Sequence, residues 1–166
     1  MQEDKKDLPI EEKVYALLKD KKYTISCAES CTGGLISATL VNVSGISEVF
    51  KEGIVTYSND AKKEYLGVKK KTLKKYGAVS KQTAKEMAVG IAGRAKSDVA
   101  ISTTGIAGPD GGSEDKPVGL VYIGIYINGE TFVKEYVFEG DRQSVRMQAT
   151  LKALHLLKKR LKNKTI

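Results

Sequence analysis

The chain is poor in the residues that build the commonest catalytic and metal sites. It has one histidine, His155, and two cysteines, Cys27 and Cys31, in 166 residues. Two cysteines are too few for a disulfide framework, and with one remote histidine they cannot complete a structural zinc site. His155 lies inside a C-terminal amphipathic segment, an unlikely place from which to build a Ser-His-Asp triad, and Cys31 lacks the histidine that would make it a nucleophile. No metal or cofactor is expected. Also missing are an apolar run of 18 residues, a G-x-x-x-x-G-K-[ST] string and a G-x-G-x-x-G string. Those absences argue against a membrane span and against NTP hydrolysis or dinucleotide binding of those types. The stretch Met1–Pro9 has no apolar signal region, so the expected compartment is the cytoplasm.

What is present is enough for one core. Hydrophobic residues make up 41% and charged residues 29% of the chain, and the length suits a single domain with tails near residues 1–8 and 163–166. Lys and Arg number 28 against 20 acids, a net charge of +8, which invites a nucleic-acid reading. Only Arg94, Arg142, Arg146 and Arg160 offer the planar fork suited to phosphate or guanine, however. The lysines fall in blocks, Lys69–Lys71 with Lys74 and Lys75, and Lys158–Lys159 with Lys162 and Lys164. These read as solvated helix faces, and no specific nucleic acid is expected.

Periodicity and turn signals order the elements. Pro9 opens a helix carrying Val14, Leu17 and Leu18, and Tyr23–Ala28 is a first buried strand followed, after a glycine turn, by a helix over Leu35–Val41. Gly53–Tyr57 is a second strand, capped by Ser58-Asn59-Asp60 into a helix that Gly67 ends. A short basic helix, Lys70–Tyr76, precedes one capped by Ser80 with Ala84, Met87, Ala88, Ile91 and Ala92 on one face. Asp98–Thr103 is a third strand, and Val118–Ile127 and Thr131–Phe138 form a hairpin about Asn128-Gly129. Asp141 caps a last helix with Val145, Ala149, Leu151, Leu154 and Leu157 inward. The result is an α/β fold, a three-layer α/β/α sandwich around a mixed, mostly parallel sheet of about five strands.

In such sheets ligands collect at the carboxyl ends of the strands, which makes three turns neighbours. The first, Glu29–Gly34, offers the hydroxyls of Ser30 and Thr32 and a helix start at Gly33-Gly34 whose free amides suit an anion or oxyanion; it can also be read as a plain helix cap. The second brings Tyr57, Ser58, Asn59 and Lys62. A lysine in the first turn of a helix is disfavoured as a cation, and burial there would make Lys62 a general base; in solvent it would be an ordinary surface lysine. The third, Thr104–Gly112, adds the Thr104 hydroxyl and the backbone at Gly105 within a 14-residue loop of functional length, unless that loop is merely mobile surface. The Ser113-Glu-Asp-Lys116 string matches S-x-x-K, but Pro117 and the glycines forbid the helix that motif needs. What remains is a serine activated by lysine for acyl transfer, with backbone amides for the oxyanion.

Four strings together, AESCTGG (28–34), GIVTYSNDAK (53–62), YGAVS (76–80) and TGIAGPDGGSEDKPVG (104–119), resemble the CinA carboxy-terminal domain family, which includes the nicotinamide mononucleotide deamidases. The resemblance covers most of the chain. It implies an amidohydrolase that converts nicotinamide mononucleotide to nicotinic acid mononucleotide and ammonia in pyridine nucleotide recycling, without a metal. Ser30 and Lys62 match the family's serine and lysine, with Tyr57 beside them. Arg142 and Arg146, in GDRQSVR (140–146), match a family G-D-R-x-x-V-R pattern and are candidates for the substrate phosphate. A homodimer or higher homo-oligomer is also implied. The chain departs from the pattern at Ser102-Thr103, where less polar residues are expected, and at Cys27, where threonine also occurs. The chain is too short for the additional pyrophosphatase domain that some family members carry. Two questions stay open in the sequence: whether Ser30 or Ser47 attacks, and whether the domain turns a nucleotide over or only binds and senses it.

Overall fold

The computed structural model describes residues 8–163. Of the tails expected near 1–8 and 163–166, residues 1–7 and 164–166 lie outside the described residues, and Asn163 belongs to α6. Helices α1 (Ile10–Lys21), α2 (Leu35–Leu40), α3 (Asn59–Leu66), α4 (Lys70–Tyr76), α5 (Lys81–Ala95) and α6 (Arg142–Asn163) surround five strands. The strands are β1 (Ile25–Glu29), β2 (Phe50–Val55), β3 (Val99–Gly105), β4 (Leu120–Ile127) and β5 (Glu130–Val137). They form one mixed sheet in the order β2-β1-β3-β4-β5. β1 is parallel to both β2 and β3, whereas β4 runs antiparallel to β3 and to β5, so the sheet is mixed as expected but its pairings divide evenly instead of being mostly parallel, because the closing hairpin returns against β3.

Two cores flank the sheet. Large side chains of α1, α2 and α6, among them Leu18, Ile36, Leu40, Leu154 and Leu157, pack on Ile25, Ile101, Ile123 and Ile125. The opposite face carries small residues, Ala28 and Ala100, under Met87 and Ile91 of α5 and Leu66 of α3. Small residues there let α5 lie close. The Ser102 hydroxyl donates to the Ala84 carbonyl at 2.6 Å, and a Cβ on Gly124 would come within 2.9 Å of that same oxygen.

Local signals act where the sequence places them. Ser58 and Ser80 accept from the amides of Ala61 and Thr83 at the starts of α3 and α5, and Asp141 Oδ1 accepts from Ser144 at the start of α6. Asn128 and Gly129 both take positive φ, 45° and 92°, as a type I′ hairpin turn requires. Two expectations change. β2 starts at Phe50 rather than Gly53, because Gly53 is not a breaker but the clearance for α2, a Cβ there falling 2.4 Å from Ser37 Oγ. Leu151 is 41% exposed instead of inward: two residues beyond Ala149 it lies about 200° round the helix, and Ala153 takes the inward position.

Candidate functional site

β2 and β1 end level with each other beside Thr103 of β3, and the parallel ladder continues one step past them. The Thr56 amide donates to the Glu29 carbonyl and the Ser30 amide to the Thr103 carbonyl. Ser30 and Thr56, just past β1 and β2, therefore form a row with Thr104 of β3. Beyond Ser30 the chain turns tightly, with Gly33 N donating to Ser30 O and Leu35 N to Thr32 O. Gly33 and Gly34 adopt φ of 59° and 102°, a path that disfavours side chains.

The free amides at the start of α2 are not available to a ligand. The buried Glu29 carboxylate accepts from the amides of Gly34, Ile36 and Ser37 at 3.2, 2.9 and 3.0 Å and from the hydroxyls of Thr32 and Ser37 at 2.6 and 2.8 Å. An anion site does exist at this helix start, but the chain fills it with its own carboxylate. Thr32 also bonds Thr103 Oγ1 and is fully buried. Thr32, Gly33 and Gly34 thus shape the serine turn and do not line the cavity. Sequence reading passed over Glu29; its signal was an acid ending a buried strand directly before a helix start.

Lys62 lies in the first turn of α3 and is 1% exposed. Its Nζ is 3.0 Å from Ser30 Oγ, 2.8 Å from the Thr56 carbonyl and 3.4 Å from the Tyr57 carbonyl. Among the described residues no carboxylate is paired with it. Burial pushes its pKa down from 10.5 to about 8, opposed by the nearby Cys31. As a neutral amine Lys62 gives its two N–H bonds to the two carbonyls and turns its lone pair to the Ser30 hydroxyl, which is the arrangement of a base beside its nucleophile. The Cys31 thiol, pushed up to about 12 by burial, stays protonated and is no competing nucleophile.

A cavity of about 270 Å³ opens above the pair, lined by Ser30, Lys62, Tyr57, Thr104, Gly105 and Arg142 among others. Tyr57 is 62% exposed, and Arg142 ties its hydroxyl at 3.0 Å to the Gly108 carbonyl at 2.7 Å across the mouth. Thr104 directs its hydroxyl to the Ala78 carbonyl at 2.7 Å. Ala78 and Val79, between α4 and α5, form a wall that the three-turn reading missed. Three candidates lie elsewhere. Ser47 is in the 3₁₀ turn entering β2, at the amino-terminal end of the parallel strands whose carboxyl ends carry Ser30, which removes it as an alternative nucleophile. Asn59 opens α3 facing solvent. Arg146 donates to the Cys31 and Thr32 carbonyls at 3.0 and 3.1 Å, behind the turn and away from the cavity.

The family model for the CinA C-terminal domain matches residues 7–161. The chain belongs to this family. Solved CinA-family structures share its fold: the competence damage-inducible protein A of Klebsiella pneumoniae superposes with a TM-score of 0.91 at 34% identity, covering 94% of this chain and 97% of that one. A competence/damage inducible protein of Agrobacterium tumefaciens does so at 0.86 and 42%, covering 92% and 95%. Proteins named as competence-damage inducible in Clostridium kluyveri and Clostridioides difficile are each 57% identical, over 93% and 90% of this chain. This CinA C-terminal domain spans 38% and 36% of the length of those two relatives. Among the described residues no helix is long and apolar enough to cross a membrane.

Proposed function

We propose that this CinA C-terminal domain is an amidohydrolase that deamidates nicotinamide mononucleotide to nicotinic acid mononucleotide and ammonia through a Ser30/Lys62 dyad. One observation carries the reading: Lys62 Nζ, buried and without a carboxylate partner among the described residues, stands 3.0 Å from Ser30 Oγ at the floor of a cavity. Ser30 Oγ attacks the carboxamide carbon while Lys62 takes its proton. The developing oxyanion meets backbone amides of the serine turn, with the Cys31 N–H next to the nucleophile. Lys62 then hands the proton to the departing nitrogen, ammonia leaves, and a water deprotonated by the same amine clears the acyl enzyme as a carboxylate.

Arg142 supports a phosphorylated substrate, since its guanidinium crosses the cavity mouth and fits a phosphate in two-pronged fashion. Tyr57 offers an exposed ring beside it for the pyridine. Purified protein incubated with nicotinamide mononucleotide should release ammonia, and Ser30→Ala and Lys62→Met should each lower kcat by at least a thousandfold without unfolding the chain. Ammonia release no faster than from Ser30→Ala would reduce the domain to a nucleotide-binding module.

A further inference from the structure

Arg146 reaches the serine turn from α6, 115 residues away in sequence, with two donors of one guanidinium edge on consecutive carbonyls: Nε on Cys31 O at 3.0 Å and Nη2 on Thr32 O at 3.1 Å. The Thr32 carbonyl also accepts from Leu35, whereas the Cys31 carbonyl has no other donor among the described residues. Gly33 makes room for the contact, since a Cβ there would lie 3.1 Å from Arg146 Nη2. On its other side the turn gives its amides to Glu29. Two opposite charges therefore grip one turn, the carboxylate by its N–H groups and the guanidinium by its C=O groups.

We infer that Arg146 is a positioning residue for the Ser30 nucleophile and not a substrate-phosphate ligand. The inference rests on the amidohydrolase reading above. Peptide units are planar, so fixing the Cys31 and Thr32 carbonyls fixes the planes on either side of Thr32. With Ser30 O held by Gly33 N, the Ser30 side chain and the Cys31 amide keep one direction relative to Lys62. Displacing reacting groups by about 1 Å costs on the order of a hundredfold in rate. Lysine, with one compact ammonium, cannot span both carbonyls.

The experiment compares Arg146→Lys, Arg146→Gln and Arg142→Lys in steady-state kinetics with nicotinamide mononucleotide, beside thermal melts. Both Arg146 variants should lower kcat at least tenfold with KM within about twofold. The acidic limb of the pH profile should stay in place, because Lys62 is held by the Thr56 and Tyr57 carbonyls. Arg142→Lys should instead raise KM. Labelling of Ser30 by a fluorophosphonate, read by intact mass, tests the same placement without the nucleotide and should slow in both Arg146 variants. A raised KM with unchanged kcat in Arg146→Lys would overturn the inference and make Arg146 a phosphate ligand. Unchanged kcat and labelling with only a lowered melting temperature would overturn it too, leaving a structural clamp. If wild type releases no ammonia but its labelling still depends on Arg146, the inference stands and the proposed substrate falls.

Discussion

Lys62 couples the fold to pH. Its pKa in the folded chain is about 8 against 10.5 for a free lysine, so between those values the unfolded chain binds a proton that the folded one does not. Stability must then rise with pH across that window. Below about pH 8 folding bears the whole cost of burying the ammonium, and above about 10.5 it bears none. The span corresponds to about 3 kcal/mol. Measured against Lys62→Met by urea melts at successive pH values, wild type should gain about that much from pH 8 to 10.5, other titrating groups cancelling in the difference. A flat difference would mean a solvated ammonium. The same proton governs turnover: kcat/KM should climb about tenfold per pH unit below 8 and level off above it.

The dyad distance is set by how α3 leans on α5. Gly90 of α5 lies against the last carbonyl of α3, where a Cβ would stand only 1.9 Å from Leu66 O. Leu66 is one helical turn beyond Lys62 on the same face. Gly90→Ala should therefore push α3 outward and carry Nζ away from Ser30, lowering kcat at least tenfold and stability by about 1–3 kcal/mol. Gly93→Ala in the same helix meets nothing within 4 Å; it should leave kcat unchanged and raise the melting temperature slightly. Equal kcat in the two variants would show that α3 does not set the geometry. Elements of this kind were legible in the sequence wherever the determinant is local: Ser58, Ser80 and Asp141 as caps, Gly67 and Gly77 as stops, Asn128-Gly129 as the hairpin. Ser30 and Lys62 were legible as a pair because one follows the end of a strand and the other lies in the first turn of the helix after the next strand. What the turn faces was not. Strand parity points Glu29 back into the α2 start while Ser30 faces the cavity, and Arg146 arrives from the far end of the chain, so a motif match placed it on substrate. Ser47 precedes β2 and so stands at the amino-terminal end of parallel strands whose carboxyl ends carry Ser30.

At the scale of the whole molecule the question is what a net charge of +8 does for a domain whose chemistry uses one buried lysine. Lys62 is the single buried lysine among the described residues; the excess positive charge outside the core gives the domain a positive field, and the cavity lining carries Arg142. Such a field concentrates anions near the opening, and salt screens it over about 10 Å at 0.1 M. Nicotinamide mononucleotide carries a phosphate, and the corresponding riboside presents the same carboxamide and ring without it. Raising potassium chloride from about 20 to about 300 mM should therefore lower kcat/KM several-fold for the nucleotide and hardly at all for the riboside. At saturation kcat should not respond to salt for either, because Ser30 and Lys62 are buried and meet through a hydrogen bond rather than an ion pair. An equal response of the two substrates would mean that the surface lysines and Arg142 do not sense the phosphate. A falling kcat would place a screened charge pair in the reacting site, which a neutral Lys62 amine excludes.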